Sequence, residues 1–368
     1  RKLGADLEAM CGSQAGGRLM LARLKGRDGG HGIPSVRFLK LSQRPDEGFA
    51  EAIQDPANGS VVVNHWKAAE YAVELLPEDQ RAAARREFAD PYRFAQRLLA
   101  DEALRHGVVR RLEVVLVHEF VHAWQNRRDR YDAEMLLGAI PGANPIEKEQ
   151  EAYREQYRYF HSRLRDDPAL ARDPAMLSYL RMLTDYDGFR EGVRSQYMRA
   201  AAGTSDLRTV GQVQEERVSL ARRLRDSSVG QWVFQGLKLL GMERGRALIA
   251  RNAAGHALLE KDFREVDLPR LRREGLPVSF EAYLSAGQPG VALQVAAAAT
   301  RLAPIAPERV SAARALAESR LLDAAATDQQ RLDAVTGINQ LVASGGAPWS
   351  PKTLTAARAV MRASAARW

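Results

Sequence analysis

The sequence predicts an α+β protein that is mostly helical, with a small sheet confined to the first half of the chain. Three observations carry that expectation. Extended patterns, one alternating and one β-branched, occur only before residue 65. A strongly apolar helical stretch carries the spacing His-Glu-x-x-His at residues 118–122. Beyond residue 170 the extended patterns stop, and helical segments broken by Gly and Pro continue to the end. The expected organisation is one α+β domain over 1–170 and an all-α region over 171–368.

The elements follow in order. Val36 to Leu41 alternates apolar and polar side chains, as a half-buried strand does. Ser60 to Asn64 is a short β-branched run after the turn pair Asn58-Gly59 and reads as a second strand. Pro77 to His106 is helical in composition, with Pro91 opening a second segment and Gly107 acting as punctuation. Val108 to Asn126 is the apolar helix with the His-Glu-x-x-His spacing, and Asn144-Pro145 opens another helix. In the second half, breaks are expected at Gly203, Gly230, Gly255, the Gly287–Gly290 turn, Pro304, Pro307 and Gly345-Gly346. The Ala-rich runs at 291–299 and 310–326 suit closely packed helices.

Hydrophobic residues make up 45% of the chain and charged residues 27%, the balance of a globular protein rather than a disordered one. No apolar run approaches the ~18 residues of a membrane-spanning helix. The single cysteine, Cys11, excludes an intrachain disulfide. The formal charge of +8 favours anionic partners in principle. However, basic and acidic residues interleave at 81–90, 154–167 and 215–226, as on solvated helix faces, so nucleic-acid binding is not expected. The excess of arginine with abundant alanine reads as genome composition, and a bacterial source is expected. The chain begins at Arg1, which predicts a fragment or a processed form, cytoplasmic or exported.

His118 and His122 are four apart and therefore share one helix face about one turn from each other. Their ring nitrogens are able to converge on one ion at roughly 2.0–2.1 Å. Glu119 projects about 100° round the helix from His118, off the metal but beside a water bound to it. A carboxylate there is placed to act as general base. Because the rest of this helix is Val, Leu, Phe and Trp, buried polar groups within it need partners, and a metal supplies them.

A zinc site of this kind needs a third protein ligand. A third histidine in the extended motif would fall where Arg128 stands. The helix after Pro145 offers Glu147, Glu149 and Glu151. On a wheel, Glu149 lies about 50° from the apolar centre set by Ile146, Tyr153, Tyr157, Phe160 and Leu164, Glu147 about 110° and Glu151 about 150°. Glu149 is therefore the candidate ligand and Glu151 is expected to be solvated, with Glu147, Glu151 and His161 as the alternatives for the third ligand. His65, after the second strand, is either an oxyanion-stabilising residue or a packing one. His31, His106 and His256 have no metal-like spacing.

Residues 55–165 resemble the HExxH zinc metallopeptidases whose third ligand is glutamate, the gluzincin group of zincins. Glu149-Gln150-Glu151-Ala152 matches the Glu-x-x-Ala pattern of their ligand helix, again selecting Glu149. Tyr153 stands where that group often has Asp. The resemblance implies a small zincin-like sheet over the active-site helix, with an edge strand holding extended peptide, and Ser60–Asn64 is the candidate strand near the site. It also implies one Zn2+ per chain on His118, His122 and Glu149, and peptide-bond hydrolysis with Glu119 as base. The alternatives are a zincin-like binding or scaffold module without activity, weighted by the helical region after residue 170, and a DNA-associated protease.

Overall fold

The computed structural model describes residues 2–13, 34–40, 52–55, 60–129, 145–173, 175–201 and 254–365, with residues 18, 21, 22 and 24. Gly203, Gly230, His31, the Asn58-Gly59 pair and the charged run 215–226 lie outside the described residues. The described chain is mostly helical with one small sheet, so the α+β, mostly helical expectation holds. All described elements beyond residue 170 are helical. Among the described residues no helix is long and apolar enough to cross a membrane.

The chain forms two units. One comprises Arg1–Tyr159 and Gly192–Leu259, the other Phe160–Glu191 and Glu260–Trp368.

The first unit opens with α1 (Lys2–Ser13), followed by β1 (Val36–Leu39), β2 (Ala52–Asp55) and β3 (Ser60–Asn64). The strand order is β1-β3-β2, with β1 parallel and β2 antiparallel to β3. Val61, Val62 and Val63 suit a pleated strand covered on both faces, and every residue of β3 is buried. β3 is therefore the central strand, and both its edges are already paired. Ser60–Asn64, expected as a strand near the site, packs on the helix Glu102–Asp129 that carries His118 and His122, and among the described residues the edges of the sheet are β1 and β2.

At the end of β3 the Asn64 side chain accepts from the Trp66 backbone N–H and starts α2 (His65–Glu74) without a loop. The helices α3 (Glu78–Phe88) and α4 (Pro91–Ala100) follow, the latter capped by Asp90 with Pro91 in its first turn. Next comes α5 (Glu102–Asp129), whose first turn is held by Asp101 Oδ1 accepting from the Leu104 N–H. Gly107 does not break it. The nearest atoms that a Cβ here would meet belong to the exposed end of the Leu75 side chain, just after α2. Val108, Val109, Leu112, Leu116, Val117, Phe120 and Val121 are all buried. A helix apolar on most of its circumference is a core helix, and α2, β2 and β3 pack on it.

The next helix, α6 (Pro145–Asp166), lies antiparallel to α5. The polar contacts between them run in opposite order along the two sequences. Tyr159 donates to Glu113, His118 meets Gln156, and Gln125 and Arg128 meet Glu151. The result is a polar ladder between the two helices, with Glu113, His118, Gln125, Glu151, Gln156 and Tyr159 all buried.

The second unit holds α7 (Ala175–Thr184) and the first part of α8 (Tyr186–Ala201), which continues into the first unit at Gly192; the helical stretch from residue 254 enters the second unit at Glu260 and passes through a π-turn at Phe263–Asp267 into α9 (Leu268–Ser285). Then come α10 (Pro289–Ala299), α11 (Pro307–Leu322), α12 (Asp328–Ala343) and α13 (Pro351–Ala365). Leu276, Phe280, Leu293 and Ile338 are fully buried between them. The expected break at Gly287 is the turn between α9 and α10, where Gly287 has φ 73°, and Gly345 with φ 98° ends α12.

Candidate metal centre

The polar ladder between α5 and α6 holds the site. His118 Nε2 and His122 Nε2 are 3.1 Å apart. Glu149 Oε2 lies 3.1 Å from the first and 3.2 Å from the second. The three atoms form a nearly equilateral triangle, and these are the only residues among those described that gather three possible metal-ligating atoms. The side chains are 8% exposed at His118 and 14% at His122 and Glu149, so the triangle is nearly shut off from bulk water.

The other ring nitrogens are engaged too. His118 Nδ1 is 2.9 Å from Gln156 Oε1, and His122 Nδ1 is 2.9 Å from Gln125 Oε1. An amide oxygen only accepts, so each Nδ1 carries a proton and Nε2 is the atom that each ring turns toward Glu149. Two imidazole lone pairs and a carboxylate oxygen then face one point. Such a group repels itself unless a cation is shared among its members. Burial would lower the basicity of His122, but the Glu149 carboxylate outweighs it, with help from Glu119, and raises the ring to about 9. Burial alone would raise Glu149, but His122 and His118 hold it well below the usual carboxylate range.

Glu119 is buried beside the triangle, close enough for its charge to act on His122. Glu147 is half-buried and stands outside the triangle. Glu151 corrects the sequence reading. It is not solvated but 3% exposed, bound by Arg128 at 2.6 and 2.9 Å and by Gln125 at 2.9 Å, with His256 Nδ1 at 3.3 Å. Burial would raise its pKa, but His256, Arg128 and Gln125 together hold it far below the carboxylate range. The wheel assigned α6 one apolar face, whereas the helix is covered on several. His161 is also outside the triangle. Its Nδ1 is 2.7 Å from the Tyr179 hydroxyl and its Nε2 is 3.5 Å from Glu274. Tyr153 sets its ring edge-to-face against His118 with centroids 4.5 Å apart. The partner of His118 Nδ1 is instead Gln156, which sequence reasoning missed. It lies two turns after Glu149 on the same face, a spacing that was open to reading.

His65 is a packing histidine. It is fully buried, its Nε2 donates to the Phe88 carbonyl oxygen at 2.7 Å, and its ring meets Phe94 edge-on. Nδ1 has no hydrogen-bond partner. Burial lowers its pKa from the ordinary 6.5, despite the opposing bond to Phe88. A folded pKa below the unfolded one means that the unfolded chain takes up the proton first as pH falls. The stability contributed by neutral His65 is therefore complete above pH 6.5 and drains away below it, by about 1.4 kcal/mol per pH unit until the folded pKa is reached. Urea unfolding at pH 7.5 and 5.5, in wild type and His65→Phe, checks this. The variant should lose less stability between the two pH values, and an equal loss in both excludes His65 as the source.

Comparison with known proteins gave no match to a family model, a curated protein or a solved structure.

Proposed function

We propose that the chain is a zinc-dependent peptidase whose metal ligands are His118, His122 and Glu149. The observation that carries the reading is the convergence of three lone-pair atoms with edges of 3.1, 3.1 and 3.2 Å. A tetrahedral ion with bonds of roughly 2.0–2.1 Å spaces its ligands about 3.3 Å apart, so the triangle fits one face of that tetrahedron. Two imidazoles and one carboxylate are a donor set that zinc favours and that leaves a fourth position for water.

When bound, zinc supplies an acidified water and a polarised carbonyl. The chain supplies the rest. His118 and His122 are oriented through Nδ1 by Gln156 and Gln125, so their ring planes are set before any ligand arrives. Glu119 takes the water's proton and returns it to the leaving amine, as general base and then general acid. The low exposure of all four side chains keeps the charge interactions strong. The antiparallel edge strand β2, packed on α5, is the candidate to hold an extended peptide by strand addition. The wider zincin-like reading rests on this arrangement and on the Glu149–Ala152 pattern.

Elemental analysis of protein purified without chelator should find close to one zinc per chain, and His122→Ala should lose most of it. An unstructured protein such as casein is the first substrate to try. Protein that arrives metal-free and takes up no added zinc would refute the proposal.

A further inference from the structure

Gln125 is fully buried, and both ends of its amide are committed. The nitrogen donates to the Lys148 carbonyl oxygen and to Glu151 Oε2, each at 2.9 Å. A backbone carbonyl only accepts. Glu151 only accepts as well, because the Arg128 guanidinium takes both of its oxygens, at 2.6 and 2.9 Å, and leaves no place for a carboxyl proton. The amide therefore cannot turn over, since its oxygen would then face two acceptors in a buried site. Its oxygen is held at His122 Nδ1, the proton is held on that nitrogen, and the lone pair of neutral His122 is left on Nε2.

On the metal-centre reading above, we propose that Glu151 is a positioning residue for that centre. Clamped by Arg128 and flanked by His256, it locks the Gln125 amide and so selects the one tautomer of His122 that can bind a metal through Nε2. The clamp draws on three separated parts of the sequence. Arg128 lies in the last turn of α5, Glu151 lies one half-turn past the ligand Glu149, and His256 comes from the helical stretch 254–262. Its role is distinct from that of the ligands. The ligands supply lone pairs, whereas the clamp decides which nitrogen of His122 has one to give.

The test is zinc affinity by chelator competition for wild type, Gln125→Met and Glu151→Gln, with NMR of isotope-labelled histidine in zinc-loaded wild type. Both substitutions should weaken zinc binding ~10–100-fold, the usual effect of losing such an outer partner. Gln125→Met leaves the Glu151–Arg128 pair intact, so it reports even where Glu151→Gln fails to fold. In loaded wild type, His122 should show a slowly exchanging proton on Nδ1. A zinc affinity in Gln125→Met within about twofold of wild type overturns the inference. So does a loaded wild type with metal on His122 Nδ1, or a variant that loses thermal stability alone. A wild type that binds no zinc removes the metal centre itself, which is a different failure.

Discussion

Glu119→Gln should abolish hydrolysis while leaving zinc content unchanged. The substitution is nearly isosteric, and Glu119 sits on a helix whose Leu116, Val117, Phe120 and Val121 are buried, so α5 should pack as before. An amide cannot accept the water proton at neutral pH, and the loss of a general base costs ~10²–10⁴-fold in rate. Zinc occupancy should hold because Glu119 contributes no atom to the triangle of His118, His122 and Glu149. Removing the Glu119 charge also takes away one of the influences that hold a proton on His122, so zinc should face no greater competition from that proton in the variant. The assay pairs hydrolysis of casein with elemental analysis of the same sample. Wild-type activity in Glu119→Gln would place the chemistry elsewhere. A wild type that holds zinc but cleaves nothing would favour a binding module built on the same metal centre.

The parts of the site that were legible in the sequence depend on local geometry alone. Two histidines four apart share a helix face wherever the helix lies, and Glu149 is brought to them because its offset from the apolar side of α6 is small. Glu151 was misread for the complementary reason. A wheel records which way a side chain points but not what covers it, and Arg128 and His256 reach Glu151 from elsewhere in the chain. The same limit applies to the sheet. Val61–Val63 announces a buried strand, but its central position depends on pairing with β1 and β2. Gly107 shows a third form of the limit. A glycine either breaks a helical segment or lies within one, and Gly107 lies within α5.

Gly337 poses that question again in the second unit, where the expected effect is on stability. It lies in the middle of α12, a position where glycine costs up to ~1 kcal/mol relative to alanine. Propensity alone therefore predicts that Gly337→Ala stabilises. The packing predicts the reverse. A Cβ on Gly337 would run into the backbone carbonyl of Gly290, with Leu293 Cβ only 3.0 Å away. The contact is reciprocal, because a Cβ on Gly290 would lie 2.5 Å from both Ala334 N and Asp333 O. Backbone lies against backbone where α10 meets α12, so no flexible side chain is there to move aside. The helices would have to separate, and Leu293, Val335 and Ile338, all buried nearby, would lose contacts. Overpacking of this kind costs ~1–3 kcal/mol, which exceeds the propensity gain. Gly337→Ala should therefore be less stable than wild type in urea, and Gly337→Leu, with more volume to place, less stable still. Gly255→Ala is the control, since among the described residues nothing lies within 4 Å of a Cβ there and propensity should act alone. If Gly337→Ala and Gly255→Ala shift stability equally, α10 and α12 do not meet through their glycines.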